Sequence, residues 1–568
     1  MKWVLNFDKE NRLKYFFYNF MIVFGDVLMI FPAILMGKMV DDGLIGGNKE
    51  VIIPLALTTI IIVVVGTLFA YFGVILIDSW GFRLQTKLRI KLYEKLNSLD
   101  SSFYNENSLG ELTTIFSDSY QIKRNMCFTV KTVLAAVLRF FGALVYCFII
   151  SPKLTLIIMI PLPILFYFSN KYIKSSKKNY QDKREYLSTF NAFIQENIDS
   201  NRLVKNYGTE QDEIRKFKVK NRTLKNKNMN IKYKFINYNI TTIGLNELIC
   251  ALLVFFGFLF VMNGEITIGQ WLVFDSLLWC LKAPFENAST LLDNWQNFGV
   301  SLGRFKWILG EKSKIKDGTI ELKGKNHEIE FKNVWLKYDK TYVLKNFNMH
   351  IIPGKAYALI GTVGSGKSTV ARLLLRLEDV SRGEILIDGI NIKEYKLNSL
   401  RENFGYVSQT AFLFSDTIKN NINFGNSKLT DKEIIKYIKL AKADYVFNLK
   451  NGIDEVIGEG GVDLSGGEKQ RLSLARALAT NPNVLILDDI TSALDFETEL
   501  EVTKNINDLN YDCTKIIIAQ KILSVKNADE ILVLDKGEII EQGTHNSLLK
   551  KNGIYKDIYD IQKRGIEL

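Results

Sequence analysis

The sequence predicts a multidomain membrane protein: a six-helix all-α transmembrane domain followed by an α/β domain with a largely parallel sheet. Three observations carry that prediction. Apolar residues make up 47% of the 568-residue chain and concentrate before about residue 295. Short turns and long basic segments alternate between the apolar runs. After about residue 325, strand-like stretches alternate with helical ones, the pattern of a sheet with helices on its faces.

A helix needs about 20 mainly apolar residues to cross a bilayer. Six segments qualify, at roughly 15–37, 53–78, 128–150, 154–172, 241–262 and 269–291. Only "SPKL" separates the third from the fourth, and Pro152 there predicts a tight external turn. Long polar segments follow the second and fourth spans. They keep apolar residues at three- and four-residue spacing, as in "LQTKLRIKLYEKLNSL" at 84–99, which predicts helices continuing past the membrane.

The net charge of +12 has its source in these segments, because lysine and arginine crowd 83–95 and 173–234. They flank apolar runs and form no tract interleaved with aromatics. A positive-inside bias explains them, with lipid as the surrounding partner and no nucleic acid. It places both termini and the long segments in the cytoplasm, in agreement with an even number of spans. The opening "MKWVLNFDKENRLKYFF" has no small-residue cleavage site and reads as a cytosolic lead-in to a retained helix. The expected map is a transmembrane domain at 1–295 with two cytosolic helical extensions, a linker at 296–325 and a cytosolic α/β domain at 326–568. Five scattered cysteines without a CxxC pair, and three histidines remote from them, argue against zinc and for buried free thiols.

The α/β part contains "GTVGSGKST": Gly361, Thr362, Val363, Gly364, Ser365, Gly366, Lys367, Ser368 and Thr369. It fits G-x-x-x-x-G-K-[ST], with the strand "AYALI" before it and a helix after it. Glycines let backbone amides curl around phosphate oxygens, and the helix N-terminus adds a favourable dipole. Lys367 is placed to meet the β- and γ-phosphates, and the Ser368 hydroxyl to meet magnesium. Asp488 ends the later strand "VLIL", where an acidic residue orients that metal. Between them, "LSGGEKQRLSLARAL" puts two glycines after a serine at a helix start, a second anion-binding end. Two domains facing head to tail would use both ends.

With these motifs in this order, the chain resembles the ATP-binding cassette (ABC) transporters, specifically the exporter-type half-transporters, over nearly its whole length. The resemblance implies that ATP and Mg2+ are the ligands. It implies that Leu464, Ser465, Gly466, Gly467 and Glu468 form the signature motif, acting on ATP held by a partner's P-loop. Gln409 of "GYVSQ" takes the Q-loop place near magnesium, Tyr338 the adenine-stacking place, and Asp495 of "SALD" the D-loop place. Segments 102–121 and 195–213 resemble the coupling helices that pass motion to the membrane domain.

Two positions depart from the family pattern. Members that hydrolyse ATP usually carry glutamate after the magnesium aspartate and histidine in the switch loop. Here those positions hold Asp489 and Gln520. Aspartate withdraws the carboxylate by roughly an angstrom, a misplacement that can cost about a hundredfold in rate. Glutamine cannot take up the positive charge that a histidine can. The expectation is a degenerate site holding ATP with little hydrolysis, in a heterodimer where this chain lends its intact signature to the partner's competent site.

Asp26, Glu247 and Asp275 lie within apolar runs, where ionisable groups are costly and face a cavity or a partner. They could attract amphipathic cations, or pair with Arg139 or a partner's helices. With few residues before the first span, the expectation is a chain without a leader-removing protease domain. Drugs, lipids or unprocessed peptides are the expected cargo, in a bacterial cell membrane. An ATP-gated regulatory or channel-like protein, or an importer built on the exporter fold, are the alternatives.

Overall fold

A computed structural model describes residues 1–107, 109–286, 288–338, 341–425, 429–458, 464–490, 494–509 and 512–566. The chain divides into two compact units, one of residues 1–98 and 108–311, the other of residues 99–107 and 312–568.

The first unit is built of helices joined by short turns, with no strand among its described residues. Segments 9–45, 49–97, 109–150, 152–172 and 210–262 are long and apolar enough to cross a membrane. Helix Lys49–Asn97 has 49 residues; at about 1.5 Å rise each it is more than twice as long as the roughly 30 Å apolar thickness of a bilayer. The expected sixth span forms the helix Ile268–Glu286 and contains Asp275, Lys282 and Pro284. It falls short of the apolarity of the other five because those residues interrupt it. The expected linker 296–325 is helical over its first part, within helix Ala288–Gly310. At "SPKL" the chain turns on an extended Ser151, whose side chain caps helix Pro152–Met159.

Small residues let these helices approach closely. A Cβ on Gly25 of helix Arg12–Leu28 would lie 2.5 Å from the Gly66 carbonyl oxygen of helix Lys49–Asn97. A buried polar tie joins helices Leu109–Arg124 and Ala288–Gly310. Asp118 accepts from the Ser301 hydroxyl at 2.8 Å and pairs with Arg304 at 3.0 Å.

The second unit is the α/β domain. Its strands are β1 (Ile329–Tyr338), β2 (Thr341–Ile351), β3 (Ala356–Gly361), β4 (Arg382–Ile387), β5 (Ile390–Asn391), β6 (Phe404–Val407), β7 (Val484–Asp488), β8 (Thr514–Ile518), β9 (Glu530–Asp535) and β10 (Glu538–Gly543). The order β2-β1-β4-β5 makes an antiparallel sheet; β10-β9-β3-β8-β7-β6 makes the second, parallel except at β10. β7 is buried along its whole length, as its unbroken apolar run requires. Leu359 of β3 and Asp488 of β7 both pair with Ile518 of β8, so the carboxyl ends of the three strands are level. Loops leaving that edge converge, the usual place for a ligand in a parallel α/β sheet.

Residues 99–107 belong to this unit. Asp100 caps the short helix Ser101–Glu106 and also accepts from the Lys314 amide at 2.5 Å. The Ser101 hydroxyl donates to the Leu377 carbonyl at 3.0 Å. The other expected coupling segment forms the short helix Asn201–Asn206 in the first unit.

Candidate functional site

The loop between β3 and helix Lys367–Leu374 is a tight, glycine-rich turn that leads from the strand end into the helix N-terminus. Gly366 has φ 100°, a conformation that side chains resist, and a Cβ there would lie 2.8 Å from the Val343 carbonyl oxygen. Lys367 is mostly buried, and its amine donates to the carbonyls of Gly361 at 2.9 Å and Thr362 at 2.8 Å. Burial draws its pKa down while Asp489 and Asp488 act against that shift. Ser365 and Thr369 are buried within the turn, and Val363 stands exposed at its tip.

The structure brings Asp488 and Ser368 together, with the hydroxyl donating to the carboxylate at 3.0 Å. Tyr406, which the motif reading did not single out, donates to the other carboxylate oxygen at 3.4 Å. It stands three residues before Gln409 in "GYVSQ", so its place in a known motif was the available signal. Burial raises the Asp488 pKa, and neighbouring Asp489 adds to the shift. Ser368, Asp488 and Gln409 supply the hard oxygen donors that magnesium prefers, so the residues present fit that ion beside a nucleotide's phosphates.

The two substituted positions meet each other. Gln520 donates its side-chain amide to Asp489 Oδ2 at 3.1 Å, and Gln409 donates to the same oxygen at 3.3 Å. Asp489 is buried and sits at φ 51° just past the end of β7, its amide bonded to the Ile518 carbonyl at 2.8 Å. Aspartate tolerates that left-handed backbone better than most side chains do. Burial raises its pKa, opposed by Lys367 and Lys521 and by both glutamine amides.

The signature residues build a helix start away from these contacts. Ser465 caps helix Gly466–Ala479 in a capping box with Glu468: Ser465 Oγ accepts from the Glu468 amide at 3.3 Å, and the Glu468 carboxylate accepts from the Ser465 amide at 2.7 Å. Gly466 and Gly467 follow in the first turn, and Leu464 packs partly buried on the adjoining core. Among the described residues, no hydrogen bond or ion pair joins this motif to the P-loop of the same chain. Gln470, one turn further, donates to the Gln409 carbonyl at 3.4 Å and so ties the signature helix to the Q-loop.

Tyr338 keeps its ring half-exposed while its hydroxyl bonds the Glu378 carboxylate. Burial, then Glu378, pushes that hydroxyl up to about 12, so it stays a donor at neutral pH. Asp495 caps helix Phe496–Asn507 by accepting from the Thr498 amide at 3.0 Å; Ser492 and Ala493 of the same motif lie outside the described residues. In the first unit, Glu247 and Asp275 are exposed and Asp26 is half-buried. Among the described residues, none of the three forms an ion pair with Arg139, whose guanidinium instead lies 4.9 Å from the centre of the Trp279 ring.

Comparison with known proteins agrees with this architecture along the chain. Residues 15–284 match the ABC transporter transmembrane region, and residues 344–492 match the ABC transporter domain. An ATP-dependent lipid A-core flippase of Syntrophus aciditrophicus is 33% identical over 93% of this chain and 89% of that protein. A putative multidrug export ATP-binding/permease protein of Staphylococcus aureus is 32% identical over 95% of this chain and 96% of that protein. The solved structure of a bacterial Atm1-family ABC exporter with ATP bound superposes with a TM-score of 0.83 at 25% identity, covering 97% of this chain and 98% of that one. The chain therefore belongs to the ABC transporter family, as an exporter-type half-transporter with one transmembrane region fused to one nucleotide-binding domain.

Proposed function

We propose that this chain is one subunit of a heterodimeric ATP-driven exporter in a bacterial plasma membrane, crossing it six times with both termini in the cytoplasm. Its own nucleotide site holds ATP and turns it over slowly. Its signature motif, Ser465 to Gly467, completes the partner's faster site.

The observation that carries this reading is the contact between the substituted positions. Asp489 presents a short carboxylate to two glutamine amides, at 3.1 Å from Gln520 and 3.3 Å from Gln409. A general base has to reach the attacking water, and the switch residue has to stabilise charge on the terminal phosphate. Here the base is shortened and the switch residue is neutral, so both contributions weaken together. Binding depends on other groups. Lys367 and the loop amides would take the phosphates, and Tyr338 would stack on adenine. Ser368, Asp488 and Gln409 would hold magnesium, which when bound neutralises charge on the β- and γ-phosphates.

Two further features support a paired assembly. The signature residues are bonded within their own helix start and, among the described residues, to no P-loop group of this chain, which suits a role at another chain's nucleotide. In the second unit a groove of about 780 Å³ lined by Phe412, Phe414, Asp416, Asn420 and Phe424 offers a seat for a segment of another chain.

Lipids and amphipathic drugs are the cargo classes that the names of the relatives bring forward. The acids Asp26, Glu247 and Asp275 favour a cationic amphiphile. Asp275→Asn should slow ATP-dependent transport of cationic dyes into inverted vesicles while leaving ATP binding intact; unchanged dye transport removes the assignment. The central test is single-turnover hydrolysis by the purified chain alone and with a second half-transporter. Slow turnover alone and one fast site in the pair are expected. Brisk hydrolysis of both nucleotides by a homodimer overturns the reading.

A further inference from the structure

The switch segment around Gln520 is held by a part of the chain that none of the nucleotide motifs includes. Gln562 lies in the C-terminal helix Ile554–Ile566. Its side-chain amide uses both ends on the loop: Nε2 donates to the Gln520 carbonyl at 2.8 Å, and Oε1 accepts from the Ile522 amide at 2.9 Å. These two backbone groups straddle Lys521. One planar side chain thus fixes the peptide planes on both sides of Lys521, the residue next to the switch position, as a neighbouring strand would.

The helix carrying Gln562 is itself anchored. Tyr555 is fully buried, with its hydroxyl 2.7 Å from His545 Nδ1. The Glu541 carboxylate accepts from the amides of Ile554 at 2.6 Å and Tyr555 at 3.4 Å, at the start of the helix. From the opposite side, Lys521 pairs at 3.1 Å with Glu499, a buried carboxylate on the helix that Asp495 caps. Residues 520–522 are therefore tied at each position: Gln520 through its side chain to Asp489, Lys521 to Glu499, and the flanking backbone to Gln562.

We propose that Gln562 is a positioning residue for the nucleotide site. It sets the backbone from which the Gln520 amide reaches Asp489, and so the aim of that amide at the terminal phosphate. This rests on the reading of Gln520 as the switch residue and deepens it by adding the C-terminal helix to the site's support. Glutamine suits the task because it offers a donor and an acceptor from one rigid plane. Glutamate offers no donor to the Gln520 carbonyl, and methionine fills similar volume with neither group.

The test uses the full-length chain in the assembled transporter. Retention of labelled ATP by this subunit, its single-turnover hydrolysis and its ATP affinity are measured for the wild type, Gln562→Glu and Gln562→Met, with Tm alongside. Losing one bond should shorten retention about 5-fold and losing both about 10-fold or more, with ATP affinity weakened in step and the association rate unchanged because the P-loop is untouched. A residue that only fills space would leave Gln562→Met at the wild-type value, and that result overturns the proposal. So does a loss of retention that merely tracks Tm across the series. A wild-type subunit that hydrolyses its own ATP rapidly would defeat the slow-site reading, while a graded effect on that hydrolysis would still support Gln562. Slow wild-type turnover with no effect of either variant would do the reverse.

Discussion

The glycine-rich turn after β3 and the edge that holds Asp489 and Gln520 make an instructive pair. The turn is built from backbone: glycines at positive φ, a helix N-terminus and one lysine already folded onto the carbonyls of Gly361 and Thr362. The edge is built from side chains that have to reach a set distance, and it is here that Asp489 and Gln520 stand in place of the family's longer and chargeable residues. Binding tolerates small displacements, because many amides share the charge. Hydrolysis does not, because one carboxylate must approach one water. A site can therefore keep its grip on ATP while losing its speed, and the two properties can be broken separately.

The largest effect should come from the turn. Lys367→Ala should weaken ATP binding by this subunit about a hundredfold, read as equilibrium binding or photolabelling of this chain in the pair. Undiminished binding would show that the lysine is not part of the grip and would end the contrast.

Next comes the edge. Asp489→Glu with Gln520→His together should raise single-turnover hydrolysis at this site roughly tenfold or more, while either change alone restores little, because the two defects act in one contact. A large gain from Asp489→Glu alone would break the two-defect account. The left-handed backbone at position 489 adds a small cost to that glutamate, since aspartate tolerates φ 51° better.

Tyr338→Ala should weaken ATP affinity about fivefold, with hydrolysis of bound ATP unchanged, which sharpens the separation of grip from speed. The smallest effect concerns stability. The Asp489 pKa is raised chiefly by burial, so the fold disfavours its charged form. The stability this group contributes is present below the ordinary carboxylate value of about 4 and lost as pH rises through the folded value. Asp489→Asn should therefore raise the Tm of the nucleotide-free protein at neutral pH, and the gain should vanish in acid. A gain that persists in acid would locate the effect elsewhere.

Much of this site was legible in the sequence because its determinants are local. The P-loop, "LSGGE" and the strand ending in Asp488 each combine a turn chemistry with a flanking element, and short-range sterics decide such units. Apolar length likewise exposed the long helices, and it also explains why the sixth span was the weakest: Asp275, Lys282 and Pro284 dilute it.

What the sequence by itself determined was the kind of protein, the place of each motif and the two departures from type, since these depend on residue identity and spacing. Only the tertiary structure decided that the departures touch, that Tyr406 bonds Asp488, that residues 99–107 fold with the second unit, and that Gln562 bonds the backbone on both sides of Lys521. Each of those is a contact between segments far apart along the chain, and strand register together with helix packing, not spacing along one segment, brings such atoms within hydrogen-bond reach.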